Sequence, residues 1–441
     1  MVLPRRHVLA SLGAVAATPV AATPAAARGA SEEPPPLAVP AGARPEEVAR
    51  DEGFWRAVAR QYRVSRDFVN LENGYYGIMP EVVRRANARN VERLNSLNSY
   101  LLRTTYKAEA EEIRRRTAAV AGVPTEEIAL TRCGTEALQN LIGGYNRLRP
   151  GDDVMYADLD YYSMQYAMNW LKDRRGAGIV RIAVPEPATR QAVLETYAEA
   201  LRAHPRVRLL LLSHMNNRTG LVTPVREIVA AARERDVDVI VDAAHSWGQL
   251  DFTLPDLGAD FVGLSLHKWM GAPLGTGFLH IRRSRLADID PVFADETYPV
   301  TDIRSRVHSG TMDVAPVLSV PTALDFHRAL GGGPVKQARL RYLRDRWVRA
   351  ARDLPGLEVL TPDEPAMYGG ITSFRVTGRT SEADNTAIAR YLFDEYKIFT
   401  VRRGGPVKGD CVRVTPALFT GRDDIDRFSA ALRDVSRRFR P

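Results

Sequence analysis

The chain has 441 residues, of which 45% are hydrophobic, and it carries a formal net charge of +8. This length and composition fit either two domains or one large α/β domain with a smaller one attached. The positive charges are dispersed apart from short clusters such as 114–116, which favours a solvated helix face over a nucleic-acid surface. We therefore expect no nucleic-acid partner. Two cysteines, Cys133 and Cys411, allow at most one disulfide, and the sequence does not show whether they meet.

The first residues are typical of an export signal. Arg5 and Arg6 precede an apolar, Ala-rich stretch at 8–22 and an Ala-rich candidate cleavage site. A membrane anchor is the alternative, but the stretch is short and two prolines interrupt it, which argues against a permanent span. We predict a twin-arginine signal over residues 1–30. Passage through the Tat translocon, which carries folded proteins, would deliver the protein to the periplasm or the extracellular space.

The rest of the chain is predicted to consist of a linker and two domains. Residues 31–52 are rich in proline and are predicted to be an extended linker. A large domain is expected at 53–320, including an N-terminal segment at 53–85, and a smaller domain at 321–441.

Short apolar strands alternate with helices in the large domain. Strands are predicted at 127–131, 154–156, 207–213, 237–241, 261–266 and 277–281. Helices are predicted at 108–120, 136–148 and 225–235. This alternation is typical of an α/β fold with a mostly parallel sheet and helices on both faces.

The pattern changes beyond Pro316. A long helical region is predicted at 319–353, strands at 371–376, 398–402 and 411–414, and helices at 383–396 and 423–438. These elements predict a smaller C-terminal α/β domain.

Polar residues follow four of the predicted strands, where parallel sheets bind ligands. They are Gly134, Thr135, Asn216, Asn217, Asp242, Ser265, His267 and Lys268. An ordinary helix N-cap would explain Gly134 and Thr135 alone, and a structural hydrogen-bond network would explain Asp242 alone. Four strand ends that one ligand could share point to a binding site.

A lysine that follows a Ser and a His, downstream of a buried Asp, suits pyridoxal 5'-phosphate. The amine of Lys268 can form a Schiff base with the cofactor aldehyde. Asp242 would keep the pyridine nitrogen protonated, so that the ring can act as an electron sink. The helix start at Gly134 and the Thr135 hydroxyl suit a phosphate. The sequence therefore predicts pyridoxal 5'-phosphate as the cofactor, and no metal site.

These residues carry a family resemblance over about residues 53–435. The chain resembles the aminotransferase class V members of the fold-type I pyridoxal phosphate enzymes, in the isopenicillin N epimerase-like branch. Cysteine desulfurases and kynureninases are more distant relatives. The most specific matches are 265–268 and 242–245, and the run 71–77 is another. The resemblance implies a fold-type I transferase fold with a large domain and a smaller C-terminal domain.

The resemblance also implies roles for individual residues. Lys268 would form the internal aldimine and then move protons at the substrate Cα. The implied cofactor-binding residues are Gly134, Thr135, Tyr161, Asn217, Asp242, His245, Ser265, His267, Lys268 and Thr311. Among them, Asn217 and His245 would lie near the phenolic oxygen of the ring. Tyr161 would stack on the ring, although a packed core tyrosine is the alternative.

Two further residues are implied to contact the substrate and a second subunit. Arg413 would bind the substrate carboxylate, for which its bidentate fork is suited, although a surface strand arginine is the alternative. Thr311 would reach the phosphate bound by a neighbouring subunit, which implies a homodimer.

Two departures from the family pattern bear on the reaction. Cys133 stands where relatives usually carry Asn or a similar polar residue. Val407 stands where the related desulfurases carry the sulfur-accepting cysteine, whose thiolate is the nucleophile. Desulfuration by a persulfide route is therefore disfavoured, and Cys411 could substitute only if its loop shifts.

We therefore expect an exported enzyme that acts at the Cα of an amino acid or a small peptide, nominally as an aminotransferase. An amino-acid or isopenicillin N-type epimerase and a C–S lyase are the alternatives. A secreted binding protein without catalysis is disfavoured, because Lys268 and Asp242 are both retained. Candidates for the side chains that decide the outcome are Tyr76, Arg103, Tyr162 and Arg218.

Overall fold

The structure is a computed structural model that describes residues 37–440. The predicted export signal at 1–30 and the first part of the predicted linker lie outside the described residues. Within the described part of the chain, none of the helices has the length and apolar character needed to cross a membrane.

The helices and strands of the described residues are numbered in chain order. The α-helices are α1 Pro45–Arg50, α2 Glu52–Ala59, α3 Glu81–Leu97, α4 Ser99–Thr104, α5 Tyr106–Ala121, α6 Gly134–Gly144, α7 Tyr162–Arg175, α8 Arg190–Ala203, α9 Val225–Arg233, α10 Ala315–Leu318, α11 Val320–Ala329, α12 Gly332–Arg352, α13 Glu382–Tyr396 and α14 Arg422–Phe439. The β-strands are β1 Val69–Asn70, β2 Ile128–Thr131, β3 Asp153–Ala157, β4 Gly178–Ile182, β5 Val207–Ser213, β6 Asp238–Asp242, β7 Phe261–Ser265, β8 Gly277–Ile281, β9 Leu357–Val359, β10 Thr372–Val376, β11 Ile398–Phe399, β12 Val401–Arg403 and β13 Cys411–Val414.

Seven strands form the large sheet, in the order β2-β8-β7-β6-β5-β3-β4. Strands β7, β6, β5, β3 and β4 run parallel to one another, whereas β8 is antiparallel to both β2 and β7. Alternate residues of β5 enter two different cores, with Leu210 and Leu212 in one and Leu209 and Leu211 in the other. A sheet that is buried on both faces in this way is the mostly parallel α/β sheet that the sequence predicts.

The C-terminal part of the chain forms a smaller antiparallel sheet in the order β12-β13-β10-β9. Its core contains Trp347 and Phe374, and Val69 and Leu71 from the N-terminal segment pack into the same core. Strand β1 pairs in parallel with β11. The N-terminal segment therefore packs against the C-terminal elements through Val69 and Leu71, whereas its Val83 packs into the core of the large sheet, so the expected assignment of 53–85 to the large domain stays a prediction.

Two expectations about local structure are corrected. The segment expected to be an extended linker contains α1, in which Val48 and Ala49 are buried and the Arg339 guanidinium donates to the Ala49 carbonyl oxygen at 2.9 Å. The single long helical region expected at 319–353 is divided into α11 and α12. Gly331, at the N-cap of α12, has a φ of +82°, a left-handed conformation that glycine adopts readily and that interrupts a helix.

Candidate active site

A cavity of about 250 Å³ lies at the carboxyl ends of β5, β6 and β7, beside the start of α6. The predicted site residues that line it are Gly134, Thr135, Tyr161, Asn217, Asp242, His245, Ser265, His267, Lys268 and Arg413. Thr311 is exposed and is not among the lining residues, so its contact with a second subunit stays a prediction. A larger open groove of about 1020 Å³ runs along α1 and α12 and contains none of the predicted residues.

Lys268 and its neighbours form the chemical centre of the cavity. The Lys268 Nζ lies 3.0 Å from His245 Nε2. Burial lowers the pKa of Lys268 to about 8, while the nearby carboxylate of Asp242 opposes that change. Burial also holds the pKa of His245 well below its usual value, so the imidazole is neutral and can accept a hydrogen bond from the amine.

Asp242 is the last residue of β6 and is buried. One of its carboxylate oxygens accepts the Ala244 N–H at 2.9 Å. Burial raises the pKa of Asp242, and the positive charge of Lys268 opposes this change. A cationic partner in the cavity would stabilise this carboxylate further.

The start of α6 forms a cradle beside β7. The Gly134 N–H donates to Ser265 Oγ at 3.1 Å, and a Cβ at position 134 would lie only 2.8 Å from that oxygen. Cys133 is the N-cap, and its Sγ accepts the Glu136 N–H at 3.4 Å. His267 is anchored through Nδ1, which lies 3.0 Å from the Thr276 carbonyl oxygen. Amide groups and a hydroxyl at a helix N-terminus are the donors that a phosphate prefers.

Three buried polar atoms of residues that line the cavity have no hydrogen-bond partner among the described residues, namely Asn217 Oδ1, His245 Nδ1 and Arg403 Nε. Buried polar atoms are nearly always paired in folded proteins, so these three indicate a polar ligand. Together with the amine, the carboxylate and the cradle at α6, they fit pyridoxal phosphate.

Tyr161 is partly buried beside the cavity, where its ring centroid lies 4.6 Å from that of Tyr162. Burial raises the pKa of Tyr161 to about 12, so its hydroxyl stays protonated at neutral pH. Its stacking on the cofactor ring stays a prediction.

Arg413 enters the cavity from β13 and is fully buried, so it is not a surface strand arginine. One guanidinium nitrogen donates to the Asn217 carbonyl oxygen at 2.7 Å, and the Nε lies 3.3 Å from a carboxylate oxygen of Glu72. Burial lowers the pKa of Arg413 to about 10, which leaves the guanidinium charged at neutral pH.

Two further residues, Glu72 and Arg403, belong to the site but are not predicted from the sequence. Arg403 lines the cavity, and its Nη2 lies 3.3 Å from Glu72 Oε1. Glu72 lies in the family motif 71–77, and Arg403 lies four positions before Val407. No local sequence pattern marks Glu72 as a site residue, because the polar residues Asn70 and Asn73 lie close to it in the chain.

The motif 71–77 connects the two halves of the cavity. The Asn73 side chain donates to the Thr415 carbonyl oxygen at 2.9 Å, and Gly74 leaves room for Arg413, whose Cζ would lie 2.7 Å from a Cβ at that position. The Gly77 N–H donates to the His267 carbonyl oxygen at 2.9 Å. The motif therefore contacts both Arg413 and the segment that carries Lys268.

Of the four side chains expected to decide the reaction, two line the cavity and two do not. Tyr76 and Tyr162 line the cavity. Arg103 is exposed on α4 and does not line it. Arg218 is buried and donates to the Asp158 carbonyl oxygen, so this guanidinium supports the fold beside the cavity instead of lining it.

The two cysteines are free thiols and do not pair. Cys411 is buried in β13, and burial raises its pKa to about 12. Val407 is exposed, and its N–H donates to Asp158 Oδ2 at 3.2 Å. Cys133 lines the cavity but Cys411 does not, so Cys411 is not placed to accept sulfur.

Comparison with known proteins supports this assignment. The aminotransferase class-V family model matches residues 79–427. Isopenicillin N epimerase of Streptomyces clavuligerus is 30% identical over 395 residues, covering 86% of this chain and 97% of that protein. A probable cysteine desulfurase of Methanothermobacter thermautotrophicus is 25% identical over 361 residues, covering 79% of this chain and 86% of that protein.

Solved structures share the fold. A lysine-to-alanine variant of C-DES with glycine covalently linked to its pyridoxal phosphate cofactor superposes with a TM-score of 0.73 at 22% identity, covering 85% of this chain and 98% of that one. The cystine C–S lyase C-DES in complex with its product cysteine persulfide gives a TM-score of 0.72 over 86% of this chain and 99% of that one.

Proposed function

The chain belongs to the aminotransferase class V family and is a pyridoxal phosphate-dependent enzyme, and we propose that it acts at the Cα of an amino acid or a small peptide. The observation that carries this proposal is the position of Lys268. Its amine lies in the cavity 3.0 Å from His245 and near Asp242, and Arg413 borders the same cavity.

The cofactor would be held by residues at both ends of the cavity. Gly134, Thr135, Ser265 and His267 would hold its phosphate, and Asp242 would hold its ring nitrogen. Bound pyridoxal phosphate supplies an electron sink that makes the Cα hydrogen of an attached amino acid acidic.

The protein residues then have two tasks. Arg413 binds the α-carboxylate of the substrate and fixes the orientation of the Cα–H bond. The amine of Lys268 takes the Cα proton as a general base, and its lowered pKa of about 8 favours the neutral form that this step needs.

The outcome depends on where the proton goes next. An epimerase would return a proton to the other face of Cα. A transaminase would deliver the proton to the cofactor carbon, and a lyase would instead release a substituent from the substrate Cβ. The epimerase alternative is supported by the S. clavuligerus relative, of which the chain covers 97%. A lyase that passes sulfur to a loop cysteine is disfavoured, because Val407 stands at that position and Cys411 is buried away from the cavity.

A substrate screen in heavy water tests the proposal. The purified protein is incubated with single amino acids and short peptides, and exchange at Cα, change of configuration, keto-acid release and β-elimination are followed in parallel. Exchange at Cα is expected in every case, and the accompanying product identifies the reaction. A colourless protein that takes up no pyridoxal phosphate would contradict the proposal.

We also propose that the protein is exported by the twin-arginine route to the periplasm or the extracellular space. Arg5 and Arg6 followed by an apolar stretch support this proposal. Conservative replacement of both arginines by lysine is expected to retain the protein in the cytoplasm. An unchanged distribution between the compartments would exclude this route.

We also propose a homodimer, because the family resemblance implies that Thr311 reaches the phosphate bound by a neighbouring subunit, and Thr311 is exposed outside its own cavity. Sedimentation of the holoenzyme is expected to give twice the mass of the chain. A fully active monomer would contradict a shared site.

A further inference from the structure

A single carboxylate, that of Glu72, contacts two arginines that border the cavity. Its contacts are with Arg413, through Nε at 3.3 Å and a shorter contact with Nη2, and with Arg403, through Nη2 at 3.3 Å. We call Glu72, Arg403 and Arg413 the carboxylate triad.

The triad is held in a water-poor environment. The side chains of Glu72 and Arg413 are 7% and 1% exposed, and that of Arg403 is 28% exposed. The Nε of Arg403 is buried without a hydrogen-bond partner among the described residues. Charges at such a site interact strongly and must nearly cancel, because desolvation penalises any excess charge.

The contacts leave one edge of Arg413 available to a ligand. A guanidinium has a side-on fork made by Nε and Nη2 and an end-on fork made by Nη1 and Nη2. Glu72 occupies the side-on fork, and the Asn217 carbonyl oxygen accepts one hydrogen from Nη1. One hydrogen of Nη1 and one of Nη2 have no partner among the described residues, and because Arg413 lines the cavity they can donate to a substrate carboxylate.

Charge balance then restricts the substrate. Two guanidinium groups and one carboxylate leave the triad with one positive charge in excess, which the α-carboxylate of an amino acid cancels. Cofactor and substrate share a cavity of about 250 Å³, so a carboxylate on the substrate side chain would lie close to the same group. It would add a negative charge that has no partner.

We propose that the carboxylate triad selects α-amino acids whose side chain carries no negative charge, and that Glu72 is the residue that sets this preference. The inference rests on the proposed action at Cα. It assigns to Glu72 a positioning role, since Glu72 acts through the two arginines and is not itself among the lining residues of the cavity.

The test compares pairs of amino acids that differ in charge and hardly in shape. Cα–H exchange by the holoenzyme is measured in heavy water with L-glutamine against L-glutamate and with L-asparagine against L-aspartate, and absorbance changes of the bound cofactor report their binding. In the wild type, kcat/KM is expected to favour each amide over its acid by about tenfold or more. Equal values for amide and acid would overturn the inference.

Two variants distinguish charge selection from simple packing. Glu72→Gln keeps the shape and removes the negative charge, so the preference for the amide is expected to fall by about tenfold. Arg403→Gln removes one positive charge and should weaken the binding of every amino acid in the series by a similar factor. The double variant Glu72→Gln/Arg403→Gln restores the charge balance, so it should recover affinity relative to Arg403→Gln.

A merely structural role of Glu72 predicts additive losses and no recovery in the double variant. That result would overturn the inference, and so would an unchanged amide-to-acid ratio in Glu72→Gln. If the wild-type protein binds pyridoxal phosphate but no amino acid exchanges its Cα hydrogen or changes the cofactor absorbance, the proposed function fails and the inference fails with it. Exchange of the Cα hydrogen without a preference for the amide would refute the inference and leave the proposed function standing.

Discussion

Two regions that border the same cavity, the Lys268 centre and the carboxylate triad, are built in different ways. Asp242, His245 and Lys268 lie within one stretch of the chain, at the ends of neighbouring strands β6 and β7. Glu72 and Arg413 are 341 positions apart and meet only because the N-terminal segment packs against β13. The residues of the Lys268 centre are thus close in sequence, whereas those proposed to recognise the substrate come together only through the fold.

Removal of the Lys268 amine is expected to have the largest effect on activity. It alters the Lys268 centre and leaves the carboxylate triad unchanged. Lys268→Ala should abolish covalent attachment of the cofactor and lower Cα–H exchange by about 10⁴-fold, because both the anchor and the proton carrier are lost. Absorbance spectra and exchange in heavy water measure the two losses. Lys172→Ala, at an exposed position on α7, serves as the control and should behave like the wild type. Substantial residual exchange would mean that another base moves the proton.

Replacement of Arg413 by lysine tests the second region separately. Lysine keeps a positive charge but cannot contact Glu72, the Asn217 carbonyl oxygen and a substrate together, because it lacks the planar fork. KM for amino acids should rise by about 10- to 100-fold, while the absorbance of bound cofactor is retained. Arg349→Lys, at an exposed position on α12, is the matched control. A fall in kcat with KM unchanged would speak against carboxylate binding by Arg413.

Gly74→Ala tests the carboxylate triad through the packing of Arg413. The added Cβ would lie 2.7 Å from Arg413 Cζ, so the guanidinium must move. We expect KM to rise by about tenfold and the free energy of unfolding to fall by about 1–3 kcal/mol, as for other overpacked positions. Steady-state kinetics and denaturant unfolding measure both effects. At Gly143, within α6, an added Cβ meets only ordinary van der Waals contact, so Gly143→Ala should leave KM unchanged and should not lower the free energy of unfolding.

The pH dependence of cofactor attachment gives the mildest test, and it concerns the first region alone. Burial lowers the pKa of Lys268 to about 8, so the neutral, nucleophilic amine predominates above that pH and is protonated below it. Attachment of pyridoxal phosphate to the apoprotein should accelerate by about tenfold between pH 7 and pH 9 and then level off. Rapid-mixing absorbance measurements follow it. A rate that still rises towards pH 10 would mean an ordinary, solvated lysine.

The contrast between the two regions also explains what could be predicted from the sequence. Strand β5 is predicted to its exact bounds because four consecutive leucines sit in a run that is buried on both faces. The Lys268 centre is predicted because polar residues directly follow apolar strands. Arg413 is identified only through the family resemblance, and Arg103 is wrongly suggested as a cavity residue because the orientation of α4 cannot be read from the sequence.

Glu72 could not have been assigned by such reasoning. Its partners are fixed by the pairing of β1 with β11 and by the hydrogen bond from the Thr415 N–H to the Leu71 carbonyl oxygen at 2.7 Å. Two-residue strands such as β1 have too little periodicity to be recognised. The division of the helical region at Gly331 was missed for a related reason, since three consecutive glycines do not fix where a helix ends.

The parallel pairing of β1 with β11 also sets an order of events during protein synthesis. Val69 is among the earlier residues to leave the ribosome, but its partner Ile398 emerges only when most of the chain has been made. Asp242, His245 and Lys268 have emerged long before that point. A growing chain, which folds from its N-terminal side onwards, can therefore bring the Lys268 centre together before the carboxylate triad. The contact between Glu72 and Arg413 forms only near the end of translation.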